Sequence, residues 1–255
     1  RRPVCLLSAV YRMWACRRMA DWNRWRAEWD PSLPAMARGA EALAWTMALE
    51  AALGRARDEE LAGLAYDFSK CFDGVRLAQL ARALRAAGVP GRIATPLLAM
   101  YAADRRLRVA GAAGRWWSPA AGVPPGCPLA VAVLALLTYP WAARLGSEAP
   151  SAKARAYVDD LTAFARGIRP AALDAALAVC RVTEAFADVM QWTVNRVKSK
   201  VFAATRAGRR DLRQRGAPVD VVGKVADLGV EPAVGARHAA KILTNRAAEA
   251  KRRAS

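Results

Sequence analysis

Apolar residues recur at helical spacing through the first hundred positions, give way to continuous and alternating apolar runs in the middle, and return to helical spacing before a basic end. Tyr11, Trp14, Trp22, Trp25 and Trp29 predict an amphipathic helix over the first thirty residues, its aromatic stripe read as core and not as a base-stacking platform. Pro31 and Pro34 end it, and 36–55 reads as an Ala-rich helix. A buried strand is expected at 61–68. Leu77, Leu80 and Leu84 form a stripe over 75–87 that Gly88-Val89-Pro90-Gly91 closes, with another helix running to about Ala102. Arg106-Leu107-Arg108-Val109 alternates like a strand, 111–114 is a turn, and Trp116-Trp117 is the return strand of a hairpin. Beyond it come a buried helix at 129–138, a helix at 173–189, mixed strand and turn at 193–203, and a short hairpin at 219–230. Strands and helices that do not alternate regularly argue for an α+β layer, not a doubly wound parallel sheet.

Charge names the class of partner. Forty Lys and Arg against twenty-two Asp and Glu give +18 over 255 residues, with more than half of the excess from Arg196 onward. Such a balance favours polyanions, so nucleic acid is the expected partner, bound through backbone phosphates with little sequence information. Lys251-Arg252-Arg253 reads as a basic tail. Cysteines at 5, 16, 71, 127 and 180 show neither zinc-site spacing nor the density of a secreted scaffold, which points to a reducing intracellular compartment, nucleus or cytoplasm. His238 is the sole histidine, leaving no material for a histidine-based triad or a His/Cys zinc site. No charge occurs between Trp116 and Ala143, but prolines leave about eleven continuous apolar residues against the roughly twenty that span a bilayer, so no membrane partner is expected.

The chemistry lies in three stretches: Ala65-Tyr66-Asp67-Phe68-Ser69-Lys70-Cys71-Phe72-Asp73, then Gly122-Val123-Pro124-Pro125-Gly126-Cys127-Pro128-Leu129, then Ala156-Tyr157-Val158-Asp159-Asp160-Leu161. Each Asp-bearing stretch is apolar up to its carboxylates, which puts acids at the end of a buried strand, costly unless a cation takes up the charge. Hard cations such as Mg²⁺ take oxygen ligands, and two held about 3.5–4 Å apart clamp both oxygens of a phosphoryl transfer. A lone Asp-Asp pair is more often a solvated turn. The order and context of the three stretches together shift the reading to a metal site.

These residues resemble motifs A, B and C of reverse transcriptases, most closely those of non-LTR (LINE-like) retrotransposons. The resemblance covers nearly the whole chain. Arg2-Pro3-Val4-Cys5-Leu6-Leu7-Ser8 resembles the string at the fingers–palm entry of that family, and Arg38-Gly39 its later GR element. Trp192-Thr193-Val194-Asn195-Arg196-Val197-Lys198-Ser199 resembles motif D, with the Asn-x-x-Lys-Ser/Thr spacing intact, and Leu228-Gly229-Val230 resembles motif E, with Asp227 where an aromatic is usual. Because the chain opens on Arg1-Arg2 and enters directly on a family motif, it is expected to be part of a longer polyprotein.

The resemblance implies a right-hand polymerase palm, an antiparallel sheet backed by helices, with partial fingers (1–60), a palm carrying motifs A to D (61–205, the helices and hairpin of 75–118 lying between A and B), and a primer-grip region with the basic start of a thumb (206–255). It implies RNA-directed DNA polymerase activity on an RNA template, a DNA primer and dNTP, with two Mg²⁺ ions or Mn²⁺ in their place. By carry-over, Asp67 and Asp159 are the bridging metal ligands and Asp160 a supporting one, with the Phe68 carbonyl as a further ligand. Arg2 resembles the arginine that grips the incoming triphosphate. Phe72 stands where the family places a ring under the nucleotide sugar, against a ribose 2′-hydroxyl. Asp73 is more simply a helix cap. Lys198, three after Asn195, is favoured as the general acid for pyrophosphate, with Lys200 competing.

Motif B departs from the family, which usually has Gln where Pro125 stands. Proline brings neither an amide side chain nor a backbone N–H, while Gly126 keeps the freedom to approach the substrate. That departure supports an alternative, a decayed retroelement remnant that only binds nucleic acid. A third reading, an RNA-dependent RNA polymerase, is opposed by Phe72.

Overall fold

Glu60–Tyr66 is the central strand of the largest sheet in the fold, and every residue in it except Ala65 is buried. Burial on both faces is what a near-continuous apolar run predicts for a central strand. The computed structural model describes residues 5–29, 40–157 and 160–223. Arg2, Arg38-Gly39, Asp159 and everything expected beyond 223, including Leu228-Gly229-Val230 and His238, lie outside the described residues. In chain order the elements are α1 (Ala9–Trp29), α2 (Ala40–Ala56), β1 (Glu60–Tyr66), β2 (Phe68–Ser69), α3 (Cys71–Gly74), α4 (Leu77–Ala86), α5 (Gly91–Ala102), β3 (Arg108–Val109), β4 (Ala112–Ala113), α6 (Ala130–Glu148), β5 (Lys153–Tyr157), β6 (Asp160–Gly167), α7 (Arg169–Met190), β7 (Thr193–Val194), β8 (Lys200–Ala203), α8 (Arg206–Gln214) and β9 (Val221–Val222). The fold is α+β, a sheet of mixed topology backed by helices.

The described residues cluster into two compact units, each drawn from separate segments: 5–29, 70–139 and 188–193 in one, 40–69, 140–157, 160–187 and 194–223 in the other. The second unit holds a five-stranded sheet in the order β5-β6-β1-β8-β9. Its pairs are antiparallel except β8 with β9, which is parallel. The fully antiparallel sheet implied by the resemblance is corrected at this edge. The cause is α8, which lies between the two strands as the crossover that a parallel pair needs. Met47 and Ala51 of α2 pack on Leu61, Phe164 and Phe202 of the sheet. Gly63 permits the closest approach of β1 to β6: a Cβ there would lie 2.2 Å from the Ala163 carbonyl oxygen.

Buried acids in this unit are each paired. Glu50 takes Lys153 on one oxygen and Arg166 on the other at 2.6 Å, and the Lys153 hydrogen bond together with Arg166 holds its carboxyl below the usual range. Glu60 accepts from the backbone N–H of Thr205 at 3.0 Å and from its hydroxyl, and the Thr205 hydroxyl oxygen in turn caps α8 by accepting from Gly208 N–H.

In the first unit Trp22 of α1 is buried and Tyr11, Trp14 and Trp25 are partly so, as expected for a stripe that faces core. Leu80 and Leu84 of α4 and Ile93, Leu97 and Tyr101 of α5 are buried in the same unit. The hydroxyls of Tyr11 and Tyr101 both reach the buried Cys127 sulfur, at 3.1 and 3.2 Å.

Helix α6 runs on through Pro140 to Glu148, ten residues past the expected end. Val133, Leu137, Trp141 and Leu145 make one buried i, i+4 stripe, and Trp141 Nε1–H donates to Thr183 Oγ1 at 2.9 Å, so burial outweighs the one hydrogen bond that the proline removes. By length and composition alone this helix is long and apolar enough to cross a membrane, and half of its apolar window is buried within the protein. The expected hairpin over 106–117 is present but short: β3 and β4 pair, and the return at Trp117 is a single bridge to Arg105.

Candidate active site

Strand β1 stops at Tyr66, paired with Leu161 of β6, and the next residues outward are Asp67 and Asp160. The register therefore brings two of the three candidate carboxylates to neighbouring strand ends, in the same unit. Asp160 also closes the β5–β6 hairpin opposite Tyr157, with Val158 and Asp159 between them outside the described residues. The expected strand 61–68 is interrupted at Asp67, whose backbone is recruited by motif D instead of the ladder.

That recruitment is extensive. Asn195 N–H donates to the Asp67 carbonyl at 2.8 Å, and the Asn195 side-chain amide donates to Asp67 Oδ2 at 2.8 Å. Asp67 N–H donates to Ser199 Oγ at 3.1 Å, and the Ser199 hydroxyl returns to the Asp67 carbonyl at 3.3 Å. Lys198 Nζ stands 3.5 Å from Asp67 Oδ1. The turn closes on itself, with Ser199 N–H on the Asn195 carbonyl at 2.8 Å. Asn195, Lys198 and Ser199, the fixed positions of the motif, thus all meet Asp67, whose Oδ1 already faces a cation. The competing lysine, Lys200, is paired with Asp220 at 2.8 Å.

A second group is tied to the first through Tyr66 and Arg196. Glu184 of α7 receives both terminal nitrogens of Arg196 at 2.7 Å and the Tyr66 hydroxyl at 2.8 Å. It therefore ties the residue before Asp67 to the residue after Asn195. Burial raises the Tyr66 phenol above its usual range and pushes the neighbouring Cys180 thiol up to about 12. Sequence reasoning missed Glu184 because its partners are remote in the chain. Ser199 was marked by motif spacing and given no role.

In the first unit the exit of motif A meets the entry of motif B. Val123 N–H donates to the Phe72 carbonyl at 2.9 Å, Gly122 N–H to the Val75 carbonyl at 2.8 Å, and Arg76 bridges Ala121. Phe72 is half-buried on α3, and Pro125 and Gly126 are exposed. Pro124 to Cys127 form a turn closed by Cys127 N–H on the Pro124 carbonyl at 3.2 Å, with φ +86° at Gly126. That is a type II turn, with proline at the position that favours it and glycine where a positive φ is required. Pro125 is thus a sound turn residue, although it supplies no amide. Asp73 is exposed and lies inside α3, where it makes no side-chain cap; the N-cap position is Lys70, in the left-handed region.

Oxygen donors alone at the strand ends fit a hard divalent cation. Among the described residues no group of three or more His, Cys, Asp or Glu side chains is clustered for a metal; Asp67 and Asp160 supply two carboxylates, and the third candidate, Asp159, is outside them.

A family model described as reverse transcriptase (RNA-dependent DNA polymerase) matches residues 1–231. A search of the curated proteins returned no match. Among solved structures the chain is similar to apo telomerase from Candida tropicalis truncated from its C-terminal domain, with TM-score 0.59 and 10% identity over 87% of this chain and 44% of that one. It is also similar to telomerase from Candida tropicalis in complex with a TWJ fragment of telomeric RNA, with TM-score 0.58 and 11% identity over 87% of this chain and 36% of that one. At these identities the likeness is one of fold, and the chain spans less than half the length of either.

Proposed function

The chain belongs to the reverse transcriptase (RNA-dependent DNA polymerase) family, and on that premise we propose that it is an RNA-directed DNA polymerase, extending a DNA primer on an RNA template. The observation that supports this best is the pairing of Tyr66 with Leu161, which leaves Asp67 and Asp160 at adjacent strand ends with Asn195, Lys198 and Ser199 gathered on Asp67. In this reading residues 1–60 are partial fingers, 61–205 the palm, and 206–255 the primer grip and start of the thumb.

Asp67, Asp159 and Asp160, with the Phe68 carbonyl, would hold two Mg²⁺ ions, or Mn²⁺, which when bound supply positive charge beside the attacking and leaving oxygens. The chain's own residues do the rest. Asn195 fixes Asp67 through Oδ2 and leaves Oδ1 beside Lys198 Nζ. The primer 3′-hydroxyl gives its proton to solvent as its oxygen bonds to the α-phosphorus and the bond from that phosphorus to pyrophosphate breaks. Lys198, exposed enough to leave Asp67, gives its proton to the departing pyrophosphate. Phe72 rejects a 2′-hydroxyl, Arg2 grips the triphosphate, and the Pro125-Gly126 turn lines the nucleotide with backbone alone.

RNA-templated primer extension by the full protein tests this. Asp159→Ala abolishes extension if the roles are right; extension at the parent rate by that variant overturns them. Pro125 favours a second reading, a remnant that binds nucleic acid without catalysis, because the turn there carries no side-chain amide. Under that reading the parent protein binds RNA with a steep salt dependence and no nucleotide.

A further inference from the structure

The hairpin between Arg105 and Trp117 projects an apolar, positively charged surface that the polymerase chemistry leaves unused. Its base is closed by reciprocal 2.9 Å hydrogen bonds between the Arg105 and Trp117 backbones, and Gly114 N–H reaches the Leu107 carbonyl at 2.9 Å. Arg105 anchors that base, its guanidinium donating to the Tyr101 carbonyl at 2.7 Å and the Gly122 carbonyl at 3.4 Å. Every residue from Arg106 to Ser118 is exposed. Trp116 is 60% exposed and Trp117 45%, two adjacent large rings left open to a partner. The Arg106 guanidinium stands 4.8 Å from the Trp116 ring centroid.

Charge selects the occupant. Arg106, Arg108 and Arg115 lie in this span and no acid does; the nearest, Asp104, accepts from the Ser118 hydroxyl at 2.5 Å. An acidic protein face or an anionic lipid surface would pair with the arginines but offers no row of flat π faces to two adjacent indoles, and a duplex keeps its base faces stacked on one another. Unstacked bases present both a π face for an indole and a phosphate for a guanidinium. We infer that the hairpin of residues 105–117 is a binding site for single-stranded nucleic acid, stacking bases on Trp116 and Trp117 and holding phosphates with Arg106, Arg108 and Arg115 without reading sequence. This site needs neither metal nor nucleotide, so it operates whichever reading of the strand-end carboxylates holds.

Anisotropy of a fluorescein-labelled oligo(dT) or oligo(U) with the full protein, in EDTA and without nucleotide, tests it. Replacing both indoles by Ala weakens binding roughly tenfold or more, whereas Trp116→Phe with Trp117→Phe, which keeps the rings, stays within about threefold of the parent. The triple change Arg106→Ala, Arg108→Ala and Arg115→Ala flattens the slope of log Kd against log salt by about 2. Parent-like affinity in the double Ala variant overturns the inference. So does an equal loss of affinity for anionic vesicles or duplex DNA, which would make the hairpin a general docking surface. Because metal is chelated throughout, a failure of primer extension leaves this result unaffected.

Discussion

The side-chain amide of Asn195 donates to Oδ2 of Asp67 at 2.8 Å across 128 residues of sequence. This bond, with the backbone bond from Asn195 N–H to the Asp67 carbonyl, decides which carboxylate oxygen is held and which is presented. Asn195→Ala is expected to lower kcat of primer extension about 10- to 100-fold, the range for losing a partner that orients a metal ligand, with a smaller change in nucleotide KM. Single-turnover extension checks it. An unchanged kcat would remove Asn195 from the site.

Glu184 braces Asp67 by joining Tyr66 to Arg196. Truncating it leaves the Tyr66 hydroxyl and the guanidinium without this partner, so Glu184→Ala is expected to cost about 1–2 kcal/mol, a modest figure because Arg196 is half-exposed and screened. Urea unfolding of Glu184→Ala, Arg196→Ala and the double variant measures it, and strict additivity would mean that the two do not interact.

Pro125 occupies the turn position that suits it, so Pro125→Gln is expected to lose about 0.5–1 kcal/mol of stability through a freer unfolded chain. If the chain is a polymerase weakened by the missing amide, the same change raises extension on RNA. A variant that is less stable and no more active supports the remnant.

Two groups, Glu50 and Cys180, fix the direction of pH effects. The carboxyl of Glu50 is lowered by its hydrogen bonds to Lys153 and Arg166, so its contribution to stability is full above its ordinary value near 4.5 and is lost as pH falls through the lower folded value. Lys153→Met weakens that acid dependence. The Cys180 thiol is raised by burial to about 12, so its contribution is full below 9.0 and is lost as pH rises from there toward 12. At pH 8, Cys16, which is exposed, is expected to alkylate well before Cys180. Mass spectrometry after brief labelling checks this.

The strand-end positions of Asp67 and Asp160 were legible in the sequence because an apolar run that ends on acid has few physical solutions, and the tight turn from Asn195 to Ser199 was legible from the Asn-x-x-Lys-Ser spacing. The helical stripe ending at Trp22 and Trp25 was legible for the same local reason. What escaped depended on partners remote in the chain. Pro140 looked like a helix end until Trp141 and Leu145 were seen to continue the buried stripe of Val133 and Leu137. The parallel edge of the sheet depends on α8 returning Val221 beside Val201. Glu184 has no local signature, and Pro125 was read as a lost amide when it is also the first corner of a type II turn.

The proposed polymerase chemistry rests on Asp67 and Asp160 sharing divalent cations with Asp159. Mn²⁺ titration of the full protein by electron paramagnetic resonance, with dNTP present, tests it most directly. Specific Mn²⁺ binding is expected in the parent and is lost in both Asp67→Asn and Asp160→Asn while each stays folded by circular dichroism. Undiminished Mn²⁺ binding in both variants would contradict it.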